Sequence, residues 1–145
     1  MATTLATIGY EAATQQAVID RLKSAGVKTV VDVRAIAASR RAGFSKTVLA
    51  ASLAEQGIAY VHLRALGTPK AGRDAARKGH TDEMRAIYEA HLAEPEAQVQ
   101  LAEAGRIAQE GKAALLCYEA EAACCHRRIV ADRLREALGL KVEDL

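Results

Sequence analysis

The sequence predicts an α/β domain built on a largely parallel sheet, and three observations carry that prediction. A helix, a glycine and an apolar strand recur in that order at Gly26, Gly57 and Gly111. The run from Val27 to Val33 is almost continuously β-branched, which marks a strand covered on both faces. Polar and reactive residues gather where the apolar runs end, while the starts of the runs carry only plain glycine joints. Helices alternating with buried strands are the pattern of a parallel sheet with helices on its faces. The expected form is a small three-layer sandwich of about four strands, in a single domain over residues 1–145.

Each element has its own signal. Thr3 to Ile8 is β-prone and stops at Gly9-Tyr10-Glu11. Thr14 is placed to cap a helix with Ala17, Val18 and Leu22 on its apolar side, and Gly26 suits the left-handed position just past its end. The second strand stops at Asp32-Val-Arg34. A polar loop from Ala38 to Gly43 then leads past Phe44 to Ser45, a second cap, before the stripe Val48, Leu49 and Leu53. Ile58 to Leu63 reads as the third strand. Leu66-Gly-Thr-Pro69 breaks the pattern, and the basic stretch Lys70 to His80 reads as a mobile loop or a poorly packed helix. Thr81 is the expected cap of a helix reaching Leu92, and Pro95 opens the next, with Val99, Leu101, Ala102 and Ile107 available for burial. Ala113 to Leu116 is the fourth strand. The final helix carries Ile129, Val130, Leu134 and Leu138 on one stripe, and its expected start is near Cys124.

Composition narrows the function. The chain has 145 residues, enough to bury a core without disulfides or metal. Half of it is apolar, much of that alanine, so the core should be aliphatic. A formal net charge of +2 gives no bulk electrostatic case for nucleic acid, which stays an open partner without support from charge. No basic-then-apolar leader and no bilayer-length apolar run are visible, so a soluble cytoplasmic protein without a membrane partner is expected. An odd count of three cysteines argues for free thiols or a metal and against a disulfide framework.

In open α/β sheets, ligands bind outside the carboxyl ends of the strands. Those ends carry Glu11, Asp32 with Arg34, His62 with Arg64, and Cys117 with Glu119. The densest stretch is Ala113 to Val130, which holds all three cysteines together with Glu119, His126, Arg127 and Arg128. If the last helix starts at about Cys124, the Cys125 thiol lies in its first turn. There, unpaired backbone N–H groups and the neighbouring arginines favour the thiolate and cradle anions. Cys125 is therefore the candidate nucleophile or redox thiol. The competing reading starts the helix near Glu119, a good helix-forming run without a cap, and leaves the cysteines as small apolar fillers. Glu119 is a candidate proton-transfer group or a clamp on Arg127. A strand, a loop and a helix carrying thiol and arginine are similar in layout to cysteine-dependent phosphatases and sulfurtransferases, although the closed glycine-rich loop of those enzymes is absent. Cys117, Cys124, Cys125 and His126 are enough ligands for zinc, but there is no Cys-x-x-Cys pair, and no metal is assigned. Asp32 and Arg34 share one side of a strand, so they form an ion pair or hold a ligand together.

Taken together, these pieces resemble the family catalogued as domain of unknown function 488. The resemblance rests on Thr7-Ile-Gly-Tyr10, Val31-Asp-Val-Arg34, Ser39-Arg-Arg41, Phe44, Gly57-Ile-Ala-Tyr60 and Leu66-Gly67. Its most specific part is Leu115-Leu-Cys-Tyr-Glu119 followed by Cys125-His-Arg127. Ala37 stands where members usually carry proline, and Ala122 and Ala123 where they often have turn residues. The resemblance adds Gly9, Tyr10 and Ser39 to the candidate site and names no reaction.

The expectation is an enzyme, a cysteine-dependent hydrolase or transferase, that binds a small anionic, phosphate- or nucleotide-like substrate without a cofactor. Cys125 and Glu119 are its catalytic candidates. Gly9, Tyr10, Asp32, Arg34, Ser39, Cys117, His126 and Arg127 are its binding candidates, with Arg34 and Arg127 as the anion clamp. The alternatives are a nucleotide or nucleic-acid binding module without catalysis, and a zinc-binding interaction domain.

Overall fold

The computed structural model describes residues 4–119 and 126–145. Five strands form one sheet in the order β3-β2-β4-β1-β5, and every pairing is parallel. They are β1 (Thr4–Gly9), β2 (Thr29–Asp32), β3 (Ala59–His62), β4 (Ala113–Cys117) and β5 (Lys141–Asp144). The helices are α1 (Gln15–Ser24), α2 (Lys46–Glu55), α3 (Lys70–Arg77), α4 (Thr81–Leu92), α5 (Pro95–Glu110) and α6 (His126–Leu138).

The chain steps twice toward the β3 edge and then twice toward the β5 edge. A parallel crossover is right-handed, so reversing direction moves the connecting helices to the other face. Accordingly, α1 and α2 cover one face, where Val18, Leu22, Leu49 and Leu53 pack on Ile8, Val30 and Leu116. The other face is covered from α3 onward, with Tyr88, Ile107, Val130 and Leu134 packed on Val31, Leu115 and Cys117. Adjacent residues of β2 and β4 divide between the two clusters, which is the period-two alternation of a strand buried on both sides.

The joints behave largely as their sequence requires. Thr14 caps α1 by accepting from the Ala17 N–H at 3.1 Å. Gly26 and Gly57 hold positive φ at 74° and 73°, the conformation that glycine takes without steric cost, whereas Gly111 is extended. Ser45 precedes α2, but its hydroxyl turns back to the loop: it accepts from Ser39 N–H at 3.0 Å and donates to the Ser39 carbonyl at 3.2 Å.

Other expectations are narrowed or corrected, among them Val48, which is 53% exposed while α2 buries Leu49 and Leu53. The sheet has five strands, because Lys141–Asp144 pairs in parallel with β1. Its run Lys-Val-Glu-Asp is charged and largely exposed, so it carries no apolar strand signal. Of the two readings for Lys70 to His80, Lys70–Arg77 is the helix, and it packs through buried Gly72 and Ala75. Thr81 is the first residue of α4 and not its cap, a position taken by His80. Val99 is 69% exposed, because α5 buries Ala97, Ala104 and Ile107 instead. Where the last helix begins relative to Glu119 and Cys124 lies outside the described residues. Among the described residues no helix is long and apolar enough to cross a membrane.

Candidate functional site

A cavity of about 550 Å³ opens at the carboxyl ends of the central strands. Tyr10 and Glu11 reach it just past β1, and Arg34, Ala35 and Ile36 just past β2. Cys117, Tyr118 and Glu119 reach it from β4, and His126 from the first turn of α6. Thr68, Arg73, Ala76, Arg77 and Met84 complete the lining from the α3–α4 side. The chain leaving β1 turns toward one face of the sheet and the chain leaving β4, its neighbour, toward the other. A crevice at such a reversal is where open α/β sheets hold ligands.

Beneath the cavity lies a closed polar cluster. Asp32 is fully buried and Arg34 is 6% exposed. The Arg34 guanidinium donates through Nε and Nη2 to the Asp32 carboxylate, with Nη2 to Oδ2 at 2.6 Å. Nη1 donates to the Phe44 carbonyl at 2.7 Å and to the Tyr10 hydroxyl at 3.1 Å. The Arg34 N–H donates to Asp32 Oδ1 at 3.0 Å, and the Tyr60 hydroxyl donates to Oδ2. Burial opposes the Arg34 charge, but the hydrogen bonds and charge of Asp32 outweigh it and push the pKa up. Burial, followed by the Asp32 carboxylate, drives the Tyr60 phenol up as well, so it stays protonated and keeps donating. Tyr10 stacks on Phe44 at 4.3 Å, which places the cluster under an aromatic lid. Of the two readings for Asp32 and Arg34, the geometry is that of the ion pair.

A second cluster surrounds the end of β4. Arg127 is 1% exposed, and its Nη1 donates to Cys117 Sγ at 2.8 Å and to the Glu119 carbonyl. Gly9 makes this approach feasible, since a Cβ there would collide with the Glu119 carbonyl and press on Arg127 Nη1. Cys117 is disulfide-bonded, with a partner outside the described residues. This corrects the expectation of free thiols: an odd cysteine count excludes a fully paired framework but not one bridge. Glu119 Oε2 lies 3.4 Å from the Cys117 sulfur, a contact without donation, because a disulfide sulfur has no proton. Burial raises the Glu119 pKa and Glu11 adds to it, against its own backbone hydrogen bond and Arg127. A raised carboxyl pKa suits a proton donor.

His126 Nε2 lies 2.6 Å from the Val33 carbonyl, and its ring meets Tyr88 edge-on at 5.3 Å. A carbonyl can only accept, so Nε2 carries the hydrogen and Nδ1 is the acceptor nitrogen of the neutral ring. Burial lowers the His126 pKa to about 4. Part of the residue reaches solvent, yet the polar ring atom is held against buried backbone, and the neutral form is the one the fold favours.

The structure therefore brings Tyr10, Arg34, Cys117, Glu119 and His126 to one cavity. Asp32 and Arg127 support its walls from below, and Gly9 leaves room for the Glu119 carbonyl and the Arg127 guanidinium. Ser39 clips its own loop, bonding Ser45 and accepting from the Arg41 N–H at 3.1 Å, and does not line the cavity. Cys124 and Cys125 lie outside the described residues, so the nucleophile candidate rests on its sequence position. Among the described residues no three His, Cys, Asp or Glu side chains gather as a metal site. Cys117, one of the four zinc candidates, offers a disulfide sulfur in place of a thiolate.

Sequence reasoning missed the α3 wall. Between Arg64 and His80 the chain carries Arg64, Lys70, Arg73, Arg77 and Lys78 against Asp74 alone. Arg73 and Arg77 stand one helical turn apart, a spacing that puts both on one face, and both line the cavity. That i, i+4 pair was the available signal, hidden by the absence of an apolar stripe. Arg73 Nη1 donates to the Thr68 carbonyl at 2.8 Å, while Arg77 pairs with Asp74 at the surface.

The model of the family described as "Domain of unknown function DUF488" matches residues 14–134. No curated protein and no solved structure matches the chain.

Proposed function

Since the chain belongs to the DUF488 family, we propose from its own geometry that the strand-end cavity binds a small phosphate-bearing substrate. The observation that carries this reading is the pair Arg73 and Arg77, which face a cavity of ligand size at the carboxyl ends of β1, β2 and β4. Arg34 and Arg127 hold the walls, and the α3 arginines supply the anion clamp. An exposed i, i+3 ion pair such as Arg77–Asp74 contributes little, so its guanidinium is readily exchanged onto a phosphate. Glu119 is the proton-transfer group, favoured by its raised pKa, and Cys125, with its thiol reduced, enters as nucleophile on its place in the sequence. This makes the protein a hydrolase or transferase of a phosphorylated small molecule. Binding without catalysis is the second reading, favoured by the disulfide that occupies Cys117.

The test is thermal unfolding with added inorganic phosphate. Ten Kd equivalents of phosphate should stabilise the fold by about 1.4 kcal/mol, by mass action on the native state. The Arg73→Ala/Arg77→Ala double variant should melt normally without phosphate and lose the increment. An unchanged melting temperature for the native protein at high phosphate defeats the proposal.

A further inference from the structure

The cavity has two chemically unlike sides. From α3 come Arg73 and Arg77; from the ends of β1 and β4 come Tyr118 with Glu11 and Glu119. Four large apolar side chains are exposed among the described residues, and two of them, Ile36 at 59% and Tyr118 at 44%, line this cavity. Exposed apolar groups scattered singly need no explanation, but two at the mouth of one cavity do. Tyr118 is also fixed in place. Its carbonyl accepts from the Tyr10 and Glu11 N–H groups at 3.1 and 2.8 Å, and its ring stands edge-on to Tyr10 at 5.4 Å.

Resting on the phosphate reading above, we infer that the ligand is a nucleotide seated in one orientation, with its base on Tyr118 and Ile36 and its phosphate on Arg73 and Arg77. Charge sets the direction. The α3 arginines draw the phosphate to their side, and the Glu11 and Glu119 carboxyls on the other side accept hydrogen bonds from sugar hydroxyls or base amino groups. An exposed aromatic face stacks any base, so Tyr118 contributes affinity for the ring without choosing among bases. The arginines supply the forked donors that phosphate requires.

Calorimetric titration with the four ribonucleoside 5′-monophosphates, with the corresponding nucleosides and with inorganic phosphate tests this. The monophosphates should bind at least tenfold tighter than inorganic phosphate. Tyr118→Ala should reduce their affinity about tenfold and leave inorganic phosphate binding unchanged. Arg73→Ala/Arg77→Ala should weaken monophosphates and inorganic phosphate alike while sparing the nucleosides. Tyr118 is exposed, so its truncation is compatible with the fold, and the unchanged phosphate titration checks that in the same experiment. If monophosphates bind no tighter than phosphate, or Tyr118→Ala leaves them unaffected, the nucleotide inference fails while the phosphate site stands. If neither phosphate nor any monophosphate binds, both readings fall.

Discussion

The molecule holds arginine against acid in two contrasting ways. At the end of β2, Arg34 and Asp32 are enclosed, and the guanidinium meets the carboxylate, a carbonyl and a phenol. On α3, Arg77 and Asp74 meet in water, with 73% and 37% of their side chains exposed. The first pair belongs to the most recognisable stretch of the sequence, Val31-Asp-Val-Arg34, and the second to the stretch that looked least ordered. The comparison separates two jobs. An arginine with its donors engaged in the interior holds loops in register, whereas one at a cavity mouth with an exchangeable partner is available to an anion.

The sharpest way to break this comparison is to remove one partner from each pair. Asp32→Ala leaves a buried guanidinium without its counter-charge and should cost about 3–5 kcal/mol in denaturant unfolding. Asp74→Ala should shift stability by no more than about 0.5 kcal/mol, within the ordinary range for a surface change. Equal effects would erase the distinction.

The pH dependence of stability gives the next largest effect. His126 titrates near 4 in the fold and near 6.5 when unfolded, so between those values the unfolded chain binds the extra proton. Stability from this group is complete above about pH 6.5 and is lost as pH falls toward 4, with no further loss below. The full shift corresponds to about 3 kcal/mol, and roughly 2 kcal/mol remains after allowing for the part of the residue that water reaches. Urea unfolding at pH 7 and pH 4.5 should show this loss, and a His126→Gln variant should show a flatter profile.

Tyr60→Phe makes a smaller cut in the buried pair than Asp32→Ala. It removes one hydroxyl donor from Asp32, which keeps its Arg34 bonds, and should cost about 1.5–3 kcal/mol, the range for a hydrogen bond to a charged group. A cost near that of Asp32→Ala would mean that Tyr60, and not Arg34, neutralises the carboxylate.

Much of this was legible in the residues, for reasons that can be named. Val30 and Val31 marked a strand covered on both faces, because two adjacent β-branched apolar residues point to opposite sides of a sheet. Thr14 announced α1 through a hydroxyl that does accept from Ala17. What escaped were elements defined by their partners. Lys141–Asp144 becomes a strand because β1 offers a free edge, helped by the Thr7 hydroxyl on Asp144 at 2.5 Å, and Lys-Val-Glu-Asp alone encodes none of this. The α3 helix packs through Gly72 and Ala75, so it lacks the large apolar stripe that periodicity detects. For the site, the strand-end rule found Glu11, Arg34, Cys117 and Glu119, but it could not see a wall contributed from the middle of a crossover. The burial of Arg127 was hidden too, since its partner is a backbone carbonyl made reachable by a glycine in β1.

The strand order has a consequence for how the chain acquires its shape. β4 lies between β1 and β2, so neither early strand can find its permanent neighbour on that side until Ala113–Cys117 arrives. Leu5 and Val31 are made early and are covered only by elements from α3 onward. Pairings this distant in sequence slow folding, because the intervening chain must be closed before any ladder forms. A growing chain that stops within α5 holds two apolar strands with an unfilled slot between them, the kind of open edge that pairs with other chains. Closing that slot also builds much of the cavity, since the strand that fills it ends in Cys117 and delivers Tyr118 and Glu119.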